Sequence, residues 1–171
     1  MLKKILFLLL ASIFVLLSIA LARTFMHVAP QNDLVQESQV QIDKRSVSNN
    51  LAASIRFKTI SHQDPKNFEK EEFNAFIQWA AATYPEFHSS MLLEQLEYTL
   101  LFKWEGSDST LAPILLTGHY DVVPVIPGTE SIWEEEPFAG VISNNRIWGR
   151  GALDDKSGVV GMMEAATYLI K

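Results

Sequence analysis

Cysteine is absent from the 171-residue sequence. Its absence excludes a disulfide framework and any cysteine-based zinc site, so a bound metal would have to be held by histidine and carboxylates. Basic charge is also scarce. Lysine and arginine number 14 against 20 aspartate and glutamate, giving a net charge of -6. With no concentrated basic surface, nucleic acid is excluded as a partner. Internal repeats and low-complexity tracts are missing too. The histidines are four, His27, His62, His88 and His119.

Long apolar runs are limited to one, residues 5–22, broken only by the hydroxyls of Ser12 and Ser18 and preceded by Lys3 and Lys4. It is longer than the ~7–15 residues of a signal-peptide core and close to the ~20 that span a bilayer. Ala20, Leu21 and Ala22 form a small-x-small cleavage pattern, so a retained anchor and a cleaved signal both stand as readings. In either case Lys3 and Lys4 stay cytoplasmic and the rest is exported, membrane-anchored or secreted or periplasmic. Residues 1–22 are therefore set apart from a polar linker at 23–45 and a domain at 46–171, large enough to bury a core.

Helical spacing of Leu51, Ala52 and Ile55 predicts a short helix around 47–57. A second helix is expected over 67–84, where Phe73, Phe76, Ile77, Ala80, Ala81 and Tyr84 share a face and Pro85 closes the pattern. Residues 98–104 alternate as a half-buried strand with a turn at 106–109, and 113–118 reads as a short buried strand. Residues 141–148 read as a hairpin turning on Asn144 and Asn145. The last helix begins near Gly158. Alternating helices and strands indicate an α/β sheet covered by helices, in which sites gather at strand ends.

Two stretches carry chemistry. The first, T-G-H-Y-D-V-V-P at 117–124, puts His119 and Asp121 at i and i+2, on one face of an extended chain. A hydrogen-bonded pair fixing one histidine tautomer accounts for that spacing as well as a functional role does. The second, G-R-G-A-L-D-D-K-S-G at 149–158, places Asp154 and Asp155 in a glycine-rich turn at a helix start. Helix capping explains such acids equally well. Together the two stretches form an N/O donor set suited to zinc.

With Trp133, Pro137 and Phe138 between them, these motifs resemble those of the dinuclear-zinc metallopeptidase and deacylase family of carboxypeptidase S, aminoacylase, acetylornithine deacetylase and succinyl-diaminopimelate desuccinylase. The branch most resembled is that of carboxypeptidase S and N-fatty-acyl-amino-acid synthase/hydrolase. The resemblance covers about 51–171, including S-I-R-F-K-T-I-S at 54–61 and F-K-W-E-G-S-D at 102–108.

The resemblance implies a zinc-exopeptidase-like mixed sheet flanked by helices, truncated before the lid or dimerisation domain. It implies that His119 ligates one of two Zn2+ ions, that Asp154 bridges both, and that Asp121 is the catalytic-site acid orienting His119. Gly151, Asp155 and Gly158 become the supporting turn, with a cis peptide between Asp154 and Asp155. The implied activity is hydrolysis of peptide or N-acyl-amino-acid amide bonds through a metal-bridging water. A homodimer through the missing domain is a further expectation. The family's general base and remaining ligands lie beyond this chain, which is therefore expected to be the N-terminal part of a longer protein and inactive alone. An inactive remnant or a non-catalytic membrane-anchored domain is the alternative.

Overall fold

The computed structural model describes residues 2–27 and 41–170, so most of the polar linker lies outside the described residues. The chain divides into two units, 1–39 and 40–171. Among its described residues the first contains one helix, α1 (Leu2–Met26), which continues past position 22. Its most apolar 18-residue stretch has a mean hydropathy of 3.0, and the helix from Lys3 to Met26 is long and apolar enough to cross a membrane. Its hydroxyl groups are satisfied inside the helix. Ser12 donates to the Leu8 carbonyl and Ser18 to that of Phe14, the arrangement a helix in hydrocarbon needs.

The second unit opens with α2 (Lys44–Ile55). The helix begins earlier than its apolar spacing suggests because the Asp43 carboxylate accepts from the Arg45 and Ser46 amides, satisfying donors that would otherwise be orphaned. A 3-10 turn at Pro65–Asn67 leads to α3 (Lys70–Thr83). Pro85 does end α3, and it also starts a further helix, α4 (Pro85–Ser90), that the periodicity did not indicate. Proline suits a first helical position because the amide it lacks has no helical partner there.

Two antiparallel hairpins supply the strands. In the first, β1 (Leu92–Leu96) pairs with β2 (Thr99–Lys103). The alternation expected in β2 holds, with Leu100 and Phe102 inward and their neighbours exposed. Its partner, however, precedes it through Glu97 at φ 54, and the 106–109 stretch turns no hairpin among the described residues. In the second, β3 (Val141–Ser143) pairs with β4 (Arg146–Trp148) around Asn144 and Asn145, both at positive φ. Here asparagine tolerates the left-handed turn as expected. The closing helix is α5 (Lys156–Ile170).

The strand expected at 113–118 is not formed. Ile114, Leu115 and Leu116 are 87%, 76% and 71% exposed, and among the described residues the isolated β-bridge nearby is a parallel one from Ile60 to Val122. An apolar run becomes a strand only where another strand offers its amides and carbonyls, and none of the described residues does so there. The α/β composition is thus present, with its sheet reduced to two small hairpins.

Helix packing makes the core. Ala80, Tyr84, Phe87 and Met163 are buried together, with Trp79, Phe102 and Val159 against them. Phe73 and Phe76 extend the buried face of α3, whereas Ala81 is exposed. Each large side chain removed from water contributes about 1.5–3 kcal/mol. One polar cluster sits within this core. The Glu164 carboxylate accepts from the Tyr84 hydroxyl at 2.8 Å and from the Asn50 amide at 2.7 Å. Burial above all, then the adjoining Glu164 carboxylate, pushes the Tyr84 phenol far above its ordinary value, with Asn50 opposing.

A raised phenol pKa means that the unfolded chain releases its proton first as pH climbs. The associated stability is therefore complete below about pH 10 and drains away above it. In a spectrophotometric titration Tyr120, pushed up to about 12 chiefly by burial, should ionise late, and Tyr84 should resist ionisation until the protein unfolds. Tyr84→Phe should remove that resistant class and cost about 1–3 kcal/mol at neutral pH by thermal or denaturant melts.

Candidate metal site

His119 and Asp121 lie in an extended segment whose position is fixed from behind. Thr59 exchanges with it, its hydroxyl donating to the Tyr120 carbonyl at 2.5 Å and its carbonyl accepting from the Val122 amide at 2.8 Å. The Ser61 amide donates to the Val122 carbonyl and the Ser61 hydroxyl to the Asp121 carboxylate. The i, i+2 geometry inferred for His119 and Asp121 thus survives without a full strand ladder.

The imidazole is held between two acids. Nδ1 lies 3.1 Å from the Asp121 main-chain carbonyl and 3.2 Å from the Asp121 carboxylate. On its other side Nε2 lies 3.0 Å from Asp154 Oδ1. A carbonyl can only accept, so Nδ1 carries the proton. In the neutral ring Nε2 then presents a lone pair to a carboxylate oxygen, an arrangement that calls for a cation between them, a proton or a metal. The hydrogen bond to the Asp121 carbonyl raises the His119 pKa; desolvation opposes it, and the Asp154 and Asp121 carboxylates add to the rise. The Asp154 side chain is 89% exposed. An ion pair so open to water adds little stability, so packing does not account for the pair.

The turn bearing Asp154 is built from the residues singled out as its support. The Asp154–Asp155 peptide is cis. Gly151 has φ +84, and a Cβ there would come 2.7 Å from Val122 Cγ1. Asp155 faces inward, its carboxylate accepting from the His119 amide at 3.4 Å. A Cβ at Gly158 would overlap that carboxylate. Asp155 therefore ties the start of α5 to the His119 segment, combining the structural role that capping suggested with a place beside the site.

A concavity of about 320 Å³ opens here, lined by His119, Asp121, Gly149, Arg150, Gly151 and Asp154 among others. The Arg150 guanidinium sits 5.0 Å from the Trp133 ring, and its amide donates to the Pro137 carbonyl. Trp133 and Pro137 thus support the rim of the concavity through Arg150. His88 engages the Tyr84 carbonyl through Nδ1 in the core, remote in sequence from both motifs.

Sequence reasoning missed Lys156. It is fully buried, its Nζ donating to the Ser54 carbonyl at 2.9 Å and to the Phe57 carbonyl at 2.6 Å, above the Phe76 ring. Burial lowers its pKa to about 8, with Glu72 acting in the opposite sense. A signal was available. Lysine in the first turn of a helix opposes the macrodipole, which asks for a specific partner elsewhere.

The donors that converge, one imidazole nitrogen and one carboxylate, are of the type zinc accepts, but fewer than the four it takes. Among the described residues no group of three or more histidine or acidic side chains is arranged to hold a metal.

Residues 115–171 match the profile of Peptidase family M20/M25/M40. The chain carries part of a domain of this family. It is 38% identical over 123 residues to "Probable carboxypeptidase S-like 2" of Dictyostelium discoideum, covering 70% of this chain and 23% of that protein. To the N-fatty-acyl-amino acid synthase/hydrolase of Xenopus tropicalis it is 31% identical over 172 residues, 95% of this chain and 32% of the relative. Carboxypeptidase S of Saccharomyces cerevisiae is 35% identical over 132 residues, 75% and 23% of the two chains. The chain thus spans roughly a quarter to a third of the length of these relatives.

Replacing Gly158 by alanine tests the turn with a distinctive sign. Glycine to alanine inside a helix ordinarily stabilises by about 0.5–1 kcal/mol. Gly158→Ala should instead cost about 1–3 kcal/mol because the new methyl displaces Asp155, and the His119 amide resonance should shift with it.

Proposed function

We propose that this chain supplies the His119–Asp154 part of the metal centre of an exported hydrolase that cleaves amide bonds in peptides or N-acyl amino acids. The reading rests on one observation above all: an Nε2 lone pair and a carboxylate oxygen face each other at 3.0 Å while Nδ1 is committed to Asp121. Support for the substrate class comes from the printed names of the similar proteins, carboxypeptidases and N-fatty-acyl-amino acid synthase/hydrolases. Members of the matched family are typically metal-dependent.

His119 Nε2 and Asp154 would hold the ion, completed by ligands outside the described residues, with Asp154 the candidate bridge to a second Zn2+. When bound, zinc supplies Lewis acidity toward an amide carbonyl. Asp121 keeps the Nδ1 proton in place, leaving Nε2 as the donor, and Ser61 in turn holds Asp121 by its other oxygen at 2.5 Å. Such outer support orients the ligand and raises its basicity. Arg150 and Trp133 shape the rim. Glu164 is not the general base, since it is engaged by Tyr84 and Asn50 within the core.

The N-terminal helix fits an anchor or signal that places the domain on the non-cytoplasmic side, behind Lys3 and Lys4. In this reading residues 1–22 are the membrane or signal segment, 23–45 the linker and 46–171 the catalytic-domain portion. A homodimer through further sequence belongs to the same reading. A second reading, a non-catalytic membrane-anchored domain, is favoured by the shortfall of metal donors among the described residues.

Zinc titration followed by calorimetry separates the two. The hydrolase reading expects Zn2+ binding that His119→Ala and Asp154→Ala each abolish and that Glu134→Ala, a neighbouring exposed acid, leaves unchanged. In the longer protein to which this reading assigns the chain, hydrolysis of an N-acyl amino acid or a dipeptide should vanish on chelation and return with Zn2+. Equal binding by all variants would remove His119 and Asp154 from the site. Zinc binding without hydrolysis in that longer protein would favour the second reading.

A further inference from the structure

The buried ammonium of Lys156 holds a short segment, residues 54–61, from the side of the Asp154 turn, and the hydroxyl of Thr59, within that segment, holds the His119 stretch. Toward the Asp154 turn, Lys156 Nζ takes the Ser54 and Phe57 carbonyls. Its amide donates to the Gly151 carbonyl at 3.1 Å, and its stem passes where a Cβ on Gly151 would meet Cδ at 3.3 Å and Cγ at 3.4 Å. Toward His119, Thr59 takes the Tyr120 carbonyl, Ser61 takes Asp121, and two main-chain bonds join the segment to Val122. Both motif stretches, widely separated in sequence, are thus referenced to one strip of backbone.

From this geometry we infer that Lys156 is a positioning residue for the metal-ligand pair, setting the Asp154 turn against His119 through residues 54–61. It does not touch the His119 ring. The inference rests on the metal reading proposed above and extends it to a group that no donor list would include. Two physical features carry it. First, a lysine ammonium is strongly hydrated, and its complete burial is tolerated only when acceptors replace water. The two carbonyls do so, that of Ser54 in the last turn of α2 and that of Phe57 just beyond it, where the regular helical ladder ends. Second, these bonds fix a lysine two positions after Asp154, so a shift in Lys156 moves the ligand. The direct contacts between the two halves are weak: Nε2 to Asp154 Oδ1 is solvent-exposed, and the His119 amide reaches the Asp155 carboxylate at 3.4 Å.

The test uses the full 171-residue chain in detergent micelles with 15N-labelled histidine. Lys156→Met keeps the apolar stem and removes the ammonium. Thr59→Val, nearly isosteric, releases the other side of the segment and serves if Lys156→Met does not fold. Phe87→Leu, in the core, supplies a control for general loss of stability. Two quantities are read: the ring-nitrogen shifts of metal-free His119, and Zn2+ affinity.

In the wild type, one ring nitrogen should report a fixed Nδ1–H tautomer. Lys156→Met and Thr59→Val should move both ring signals toward averaging and weaken Zn2+ roughly 10–100-fold, the range expected when outer support of a ligand is lost. Phe87→Leu should change neither. Wild-type ring signals in the folded variants, or equal changes in the core control, overturn the inference. Absence of Zn2+ binding in the wild type defeats the metal reading, and the metal-free ring signals then decide the positioning role by themselves.

Discussion

The ammonium of Lys156, buried between the Ser54 and Phe57 carbonyls, is the constraint on which the arrangement of the site depends. A charge is costly to remove from water, and its two acceptors must stay in place for the folded state to tolerate it. That requirement fixes the end of α2 against the start of α5. Thr59 and Ser61 then carry the same frame to Tyr120, Asp121 and Val122. His119 and Asp154 meet because two separate strips of chain are measured from one segment, with two small hairpins as the strands among the described residues.

Exposure is distributed in a consistent way. The helices of the second unit bury Phe76, Ile55, Tyr84 and Val160, while Ile114, Leu115, Leu116 and Leu153 stand in solvent near the two motif stretches. The core formed by α2, α3, α4 and α5 stands on the helices' own packing. The exposed apolar run has the composition of a buried strand and lacks only a partner ladder among the described residues. Local geometry at the site survives because it relies on side-chain bonds and tight glycine turns, which do not need a sheet.

Legibility in the sequence followed the range of the interactions. The amphipathic face of α3, the Asn144–Asn145 turn and the α5 pattern are local, and periodicity or turn chemistry revealed them. The pairing of His119 with Asp121 was also legible, since i, i+2 spacing holds in any extended chain. The buried strand at 113–118 was not correctly read, because burial of a strand is decided by neighbours distant in sequence. α4 was hidden behind Pro85, a residue that ends one helix and begins the next. The meeting of His119 with Asp154, and the cis peptide beside it, came from the family resemblance rather than from periodicity. Lys156 escaped notice because its acceptors are main-chain carbonyls, which no side-chain pattern records.

The central claim is that His119 Nε2 and Asp154 together hold a metal ion. Zinc K-edge X-ray absorption on the Zn2+-loaded chain addresses it directly. The account predicts a nitrogen and oxygen shell at ~2.0–2.2 Å with outer-shell scattering from an imidazole, and loss of that imidazole signature in His119→Ala. An oxygen-only shell in the wild type, or an imidazole signature that persists in His119→Ala, would contradict it.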